Sequence, residues 1–143
     1  MGYLTGKVTS SKFDLVADLR ASAAFPRFTS KAIRSNWVIV DLLRRVGQRK
    51  RATPAQMALA WLHGRKQWIV PIPGTTNLDH LRENLGAADV ELTAGDMQEI
   101  EYGFAKIHVE GARAPEALLR LGDLGANLGT SSASGHGLSP LPR

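Results

Sequence analysis

Residues 68–73, Trp68-Ile69-Val70-Pro71-Ile72-Pro73, make a short apolar run without polar alternation. That is the pattern of a strand covered on both faces. A lone strand leaves its backbone N–H and C=O groups without partners, so it needs neighbours on both sides. No other segment reads convincingly as a strand, and no internal repeat supplies one. The run therefore predicts that its partners come from residues not in this sequence, or from another chain. Two prolines refine the reading, because each lacks a ladder donor. Pro71 argues against an ordinary central strand, whereas Pro73 fits a strand end.

The remaining signals are helical. Ile33, Trp37, Val40, Leu43 and Val46 recur at spacings of three or four, predicting a helix from Thr29-Ser30 to about Arg49. In Thr53-Pro54-Ala55-Gln56 a capping threonine, a proline at the first helical position and a glutamine at the third open a second helix, which Gly64 ends. Gly74-Thr75-Thr76-Asn77 reads as a turn before a helix through Leu78, Leu81 and Leu85. Thr93-Ala94-Gly95-Asp96 opens another, with an apolar stripe of Met97, Ile100, Phe104 and Ile107. A last short helix is expected from Pro115 through Leu121. The first 28 residues read as a long loop with a helical turn near Phe13–Leu19. Residues 122–143 are rich in Gly, Ser and Pro and predict a disordered tail. Trp37, Trp61 and Trp68 fall on apolar faces and are expected in the core.

A chain of 143 residues is one domain's worth, here residues 1–121 plus the tail. The absence of cysteine excludes disulfides, thiolate metal sites and a cysteine nucleophile. No apolar run approaches the ~20 residues that span a bilayer, and the N-terminus lacks a secretory layout. These features predict a soluble cytoplasmic chain with no membrane partner. The net charge of +5 points only weakly to anionic partners.

Few residues carry chemistry. The run Ile69 to Thr76 leads directly into a helix, where free N–H groups and the positive dipole end favour phosphate. Gly74 allows close approach, and Thr75 and Thr76 add hydroxyls. The plain alternative is a turn with a threonine cap, and the glycine spacing is not that of a P-loop. The basic stretch Arg44 to Arg51 before a capped helix also suits a helix-turn-helix DNA reader, but an apolar run stands where the recognition helix belongs. The plain alternative is a solvated helix end. His63, His80, His108 and His136 share no ligand spacing, so no metal site is expected. No paired carboxylates suggest acid–base catalysis.

Three segments together resemble the C-terminal part of aldo-keto reductases. They are Thr53-Pro54-Ala55-Gln56-Met57-Ala58-Leu59-Ala60-Trp61-Leu62, Ile69 through Thr76, and Leu81-Arg82-Glu83-Asn84. Gly2-Tyr3-Leu4-Thr5-Gly6 is similar to that family's loop after the seventh barrel strand. Glu91-Leu92-Thr93 and Gly111-Ala112-Arg113 fit its bacterial branch. The resemblance spans roughly residues 2 to 121.

It implies an α/β fold, the incomplete C-terminal part of a TIM (β/α)8 barrel, mostly helical with one clear strand. Residues 68–73 become the eighth strand and Thr53–Gly64 the seventh helix. It also implies a nicotinamide cofactor, NADPH or alternatively NADH. Gly74, Thr75 and Thr76 match the turn that holds the adenosine phosphate. His80 stands where an arginine often meets the 2′-phosphate, Glu83 and Asn84 match the pair at the adenine, and Gly2 and Leu4 lie where the loop nears the pyrophosphate. The departures are His80 for arginine, Gly74 where some branches have lysine, and Ala114 where a tyrosine is expected. The family's Asp, Tyr, Lys and His catalytic group lies on the first strands, and neither Tyr3 nor Tyr102 sits in a matching motif, so no catalytic residue is assigned. The expectation is a carbonyl-reducing oxidoreductase in the complete family protein. This chain would hold the adenosine end and be inactive alone, through truncation or a gene model begun at an internal methionine. The alternative is a non-catalytic assembly piece that completes a partner chain.

Overall fold

The computed structural model describes residues 2–10, 18, 20 and 25–120. The helical turn expected near Phe13–Leu19 falls, Asp18 apart, outside the described residues, as does the expected tail.

Helix α1 (Ser30–Lys50) begins where the Thr29 hydroxyl accepts the Ala32 N–H at 3.2 Å. Its apolar stripe buries Ile33, Val40, Leu43 and Val46 almost completely. Trp37, on the edge of that stripe, is half-buried under the Arg44 guanidinium, 5.6 Å from the ring centre. The helix stops at Arg51, which takes the left-handed conformation (φ 53°). The Ala52 N–H then folds back onto the Gly47 carbonyl at 2.9 Å.

Helix α2 (Pro54–Arg65) starts in a complete capping box. Thr53 Oγ1 accepts from the Gln56 N–H, and Gln56 Oε1 accepts from the Thr53 N–H. Helix α3 (Leu78–Leu85) follows a non-helical run and continues into a 3-10 turn at Gly86–Asp89. Helix α4 (Ala94–Ala105) lies across α1, and residues 116–120 are helical. Leu42, Leu43 and Val46 of α1, Met57 of α2 and Ile100 of α4 form the main core, against which Trp61, Val90, Leu92 and Phe104 pack. Trp61 and Phe104 meet edge to face, with centroids 5.8 Å apart. A smaller cluster of Val8, Phe28 and Ile33 lies at the other end of α1.

The start of α4 carries more than the sequence pattern indicates. Asp96 completes a second capping box with Thr93, and its carboxylate also receives Lys50 Nζ at 2.6 Å. Arg49 bridges to Glu99 beside it. The basic end of α1 is thus paired with the acidic start of α4. Hydrogen bonds from Lys50 and Thr93 hold the Asp96 carboxyl at about 2, well below the usual range. Because the folded value is depressed, this stabilisation is present above about pH 4 and is lost as pH falls toward 2. Asp96→Ala is expected to cost about 1–2 kcal/mol at neutral pH, as losing a helix cap does. It should also flatten the pH dependence of stability between pH 4 and 2. Urea titrations across that window test this, and a variant as acid-sensitive as the parent would contradict it.

The expected strand is absent among the described residues. Residues 69–75 lie outside any helix and carry no ladder, since a strand exists only through its partners and none is present among the described residues. Trp68 (77% exposed), Val70 (76%) and Ile72 (92%) project into solvent. The core position expected for Trp68 is therefore corrected, while Trp61 packs as expected. Leu78 and Leu85 extend the apolar exposure. Large apolar side chains exposed in this number invite association. No helix of the described residues is long and apolar enough to cross a membrane.

Candidate functional site

Two loops converge beside α1. The first is built on Gly2 and Gly6, both at φ 72°, flanking a 3-10 turn at Tyr3–Thr5. Both glycines occupy a backbone region that side chains with a Cβ rarely adopt. Tyr3 docks the turn on α1, its hydroxyl donating to the Ile33 carbonyl at 2.6 Å and its ring edge-on to Phe28. Burial, with a smaller contribution from the Asp41 charge, raises the Tyr3 pKa above the ordinary phenol value. That proton is committed to a structural bond. Tyr102 lies exposed on α4, with Lys106 Nζ 3.8 Å from its ring centre.

The second loop joins the non-helical run to α3. Asn77, not a threonine, caps the helix: its Oδ1 accepts from the N–H groups of Asp79 (2.8 Å) and His80 (3.1 Å). Thr75 Oγ1 accepts from the Asn77 N–H at 3.1 Å. Two of the first helical amides are therefore taken by the cap. Among the described residues, the amides of Thr75, Thr76 and Leu78 have no acceptor. The donors open to an anion thus lie mainly in the turn rather than along the helix start. A Cβ on Gly74 would meet nothing within 4 Å, so the fold does not enforce glycine there.

Between the loops lies a cavity of about 1240 Å³. Gly2, Leu4, Gly74, Thr75, His80, Glu83 and Asn84 all line it, while Thr76 does not. Lys7 connects the two sides through an ion pair with Glu83 at 3.4 Å. Lys7, Arg27, Asn36 and Arg113 also line the cavity. Sequence reasoning did not select these four for the site, although Arg113 stood in one matching segment and Asn36 interrupted an apolar face. Among the described residues of the wall, cationic side chains outnumber the one acidic residue, Glu83, which favours an anionic occupant. Among the described residues no three His, Asp or Glu side chains are grouped to hold a metal.

Comparison with known proteins agrees with the arrangement of segments. The sequence profile of the Aldo/keto reductase family matches residues 1–102. The chain is 34% identical over 114 residues to a Schizosaccharomyces pombe protein named aldo-keto reductase yakc [NADP(+)], covering 80% of this chain and 33% of the relative. It is 35% identical over 99 residues to a probable aldo-keto reductase 1 of Glycine max, covering 69% of this chain and 28% of the relative. The chain thus spans about a third of the length of these curated relatives. The match runs through both cavity loops and the helices that carry them, and on that footing the chain belongs to the aldo/keto reductase family.

Proposed function

We propose that this chain forms the adenosine-binding end of a nicotinamide cofactor site in a carbonyl-reducing β/α barrel. The observation that carries the reading is the convergence of the Gly2–Leu4 loop and the Gly74–Asn84 segment on one cavity with a cationic wall. The fit to a phosphate rests on the unpaired amides of Thr75, Thr76 and Leu78 and on the positive charge that Lys7 and Arg27 bring to the cavity wall. In this reading the turn amides and the Thr75 hydroxyl hold the phosphate on the adenosine side. Glu83 and Asn84 hold the adenine edge, with Lys7 keeping Glu83 in place. Gly2 and Leu4 let the backbone approach the pyrophosphate, and His80 faces the 2′ position.

The bound nicotinamide supplies hydride to a carbonyl when the barrel is complete. The residues of this chain bind and orient the far end of the cofactor and move no proton. Residues 68–73 serve as a barrel strand whose neighbours cover Trp68, Val70 and Ile72. The name of the Schizosaccharomyces pombe relative includes NADP(+), and the basic wall supports NADPH over NADH here.

Fluorescence titration of the 143-residue protein tests this. NADPH should bind more tightly than NADH, and Asn84→Ala should weaken NADPH by about 2- to 10-fold, as loss of one or two hydrogen bonds does. Turnover of NADPH with a reactive aldehyde should stay at the blank rate. Turnover well above blank, or equal affinity for the two cofactors in parent and variant, would contradict the reading.

A further inference from the structure

The segment that follows α4 is held against α1 by an unusual set of contacts. Asn36, only 3% exposed, pairs with the backbone of residue 110 in both directions. Its Nδ2 donates to the Glu110 carbonyl at 2.9 Å, and its Oδ1 accepts from the Glu110 N–H at 2.8 Å. The side-chain amide thus acts as one residue of a strand partner. Arg27 Nε donates to the Gly111 carbonyl at 3.2 Å, and Lys31 pairs with Glu110 at 2.9 Å. Gly111 sits at φ 85°, where a Cβ would come within 2.8 Å of the Pro26 carbonyl. A buried amide satisfied on both its groups is a strong fixing point, because removing it strands two backbone groups.

Two residues beyond this clamp stands Arg113. It lines the cavity and is exposed, and among the described residues it makes no hydrogen bond or ion pair. Among the described residues the cavity's other fixed cations are engaged: Lys7 with Glu83, Arg20 with Asp18, and Arg27 with the Gly111 carbonyl. A guanidinium with its donors open, on a segment fixed by a buried amide, is suited to a planar oxyanion.

We propose that Arg113 is an anion-contact residue of this cavity and that Asn36, through its clamp on residue 110, is the residue that positions it. The proposal takes its ligand class, an oxyanion, from the cofactor reading above. The anion is either a phosphate of the nucleotide or an acid group on the carbonyl substrate. Both offer oxygens in the geometry that a guanidinium fork meets.

Calorimetric titration of the 143-residue protein with inorganic pyrophosphate and, separately, with 2-oxobutanoate distinguishes the two sources. In one of the two arms Arg113→Ala should weaken binding at least about tenfold and Arg113→Lys by less. That arm identifies the anion. Asn36→Ala should weaken the same arm about as much and accelerate exchange of the Glu110 amide, while exchange of core amides in α1 and α4 stays unchanged. The double variant should bind no more weakly than the weaker single variant, which a purely structural role for Asn36 would not produce. Arg113 is exposed, so its variant remains decisive even if Asn36→Ala fails to fold. Equal affinity of parent and Arg113→Ala in both arms, or binding in neither, overturns the proposal. A third titration, with adenosine 2′,5′-bisphosphate, separates the two inferences. Arg113-dependent pyrophosphate binding without nucleotide binding would sink the cofactor reading and leave this one standing.

Discussion

Leu43→Ala is expected to lower the unfolding free energy of the chain by about 2–5 kcal/mol, the range for truncating a fully buried leucine. Leu43 has no exposed surface and sits where α1, α2 and α4 meet, among Leu42, Val46, Met57 and Ile100. Removing its branched end takes contacts from three helices at once, and the surrounding side chains close such a gap only partly. The informative control is Ile72→Ala. Ile72 is 92% exposed, so its truncation should change stability by no more than about 0.5 kcal/mol. Paired urea denaturations read both. If Ile72→Ala destabilised the protein as much as Leu43→Ala does, residues 68–73 would be buried by the chain itself, and the reading of a strand awaiting neighbours would fail.

The second large effect reverses an ordinary rule. Alanine for glycine inside a helix usually stabilises by about 1 kcal/mol. Gly47 lies three residues from the end of α1, and its place is set by the turn into α2. A Cβ there would lie 2.5 Å from the Ala52 carbonyl oxygen and 3.0 Å from Met57 Cγ. The first is backbone, fixed by the Ala52 N–H bond to the Gly47 carbonyl, and the second is a fully buried side chain. Neither can retreat without opening the junction of the two helices. Gly47→Ala is therefore expected to destabilise by about 1–3 kcal/mol net, the cost of overpacking a tight core. Thermal melts would show a lowered midpoint, and an unchanged or raised one would refute this packing argument.

Much of the helical layout was legible because its causes are local. Thr53, Pro54 and Gln56 specify the start of α2 within four residues, and the stripe from Ile33 to Val46 specifies the buried face of α1. Trp68 reads as a core residue because hydrophobicity records what a residue seeks, whereas burial depends on which segments pack against it, and among the described residues none covers it. The Asn77 cap was overlooked in favour of the threonines before it. Both types cap helices, and only geometry decides which oxygen meets the amides. At Asp96 the Thr93-x-x-Asp96 spacing was itself a capping signal, while the contact with Lys50 depends on α1 crossing α4. Asn36 was the least legible, because a polar residue in an apolar stripe does not announce what it bonds 74 residues away. The candidate cavity divides the same way. Gly74 through Asn84 could be selected from local motifs, whereas Lys7, Arg27 and Arg113 join it only through the packing of three separate segments.

The central claim is that the cavity receives the adenosine half of a dinucleotide and not its nicotinamide half. Amide chemical shifts of the isotope-labelled protein, titrated in parallel with adenosine 2′,5′-bisphosphate and with nicotinamide mononucleotide, test it directly. The account predicts saturable shifts at Gly74, Thr75, Thr76, His80 and Asn84 with the adenosine half, and none there with the nicotinamide half. Equal responses to the two, or shifts confined to residues remote from the cavity, would contradict it.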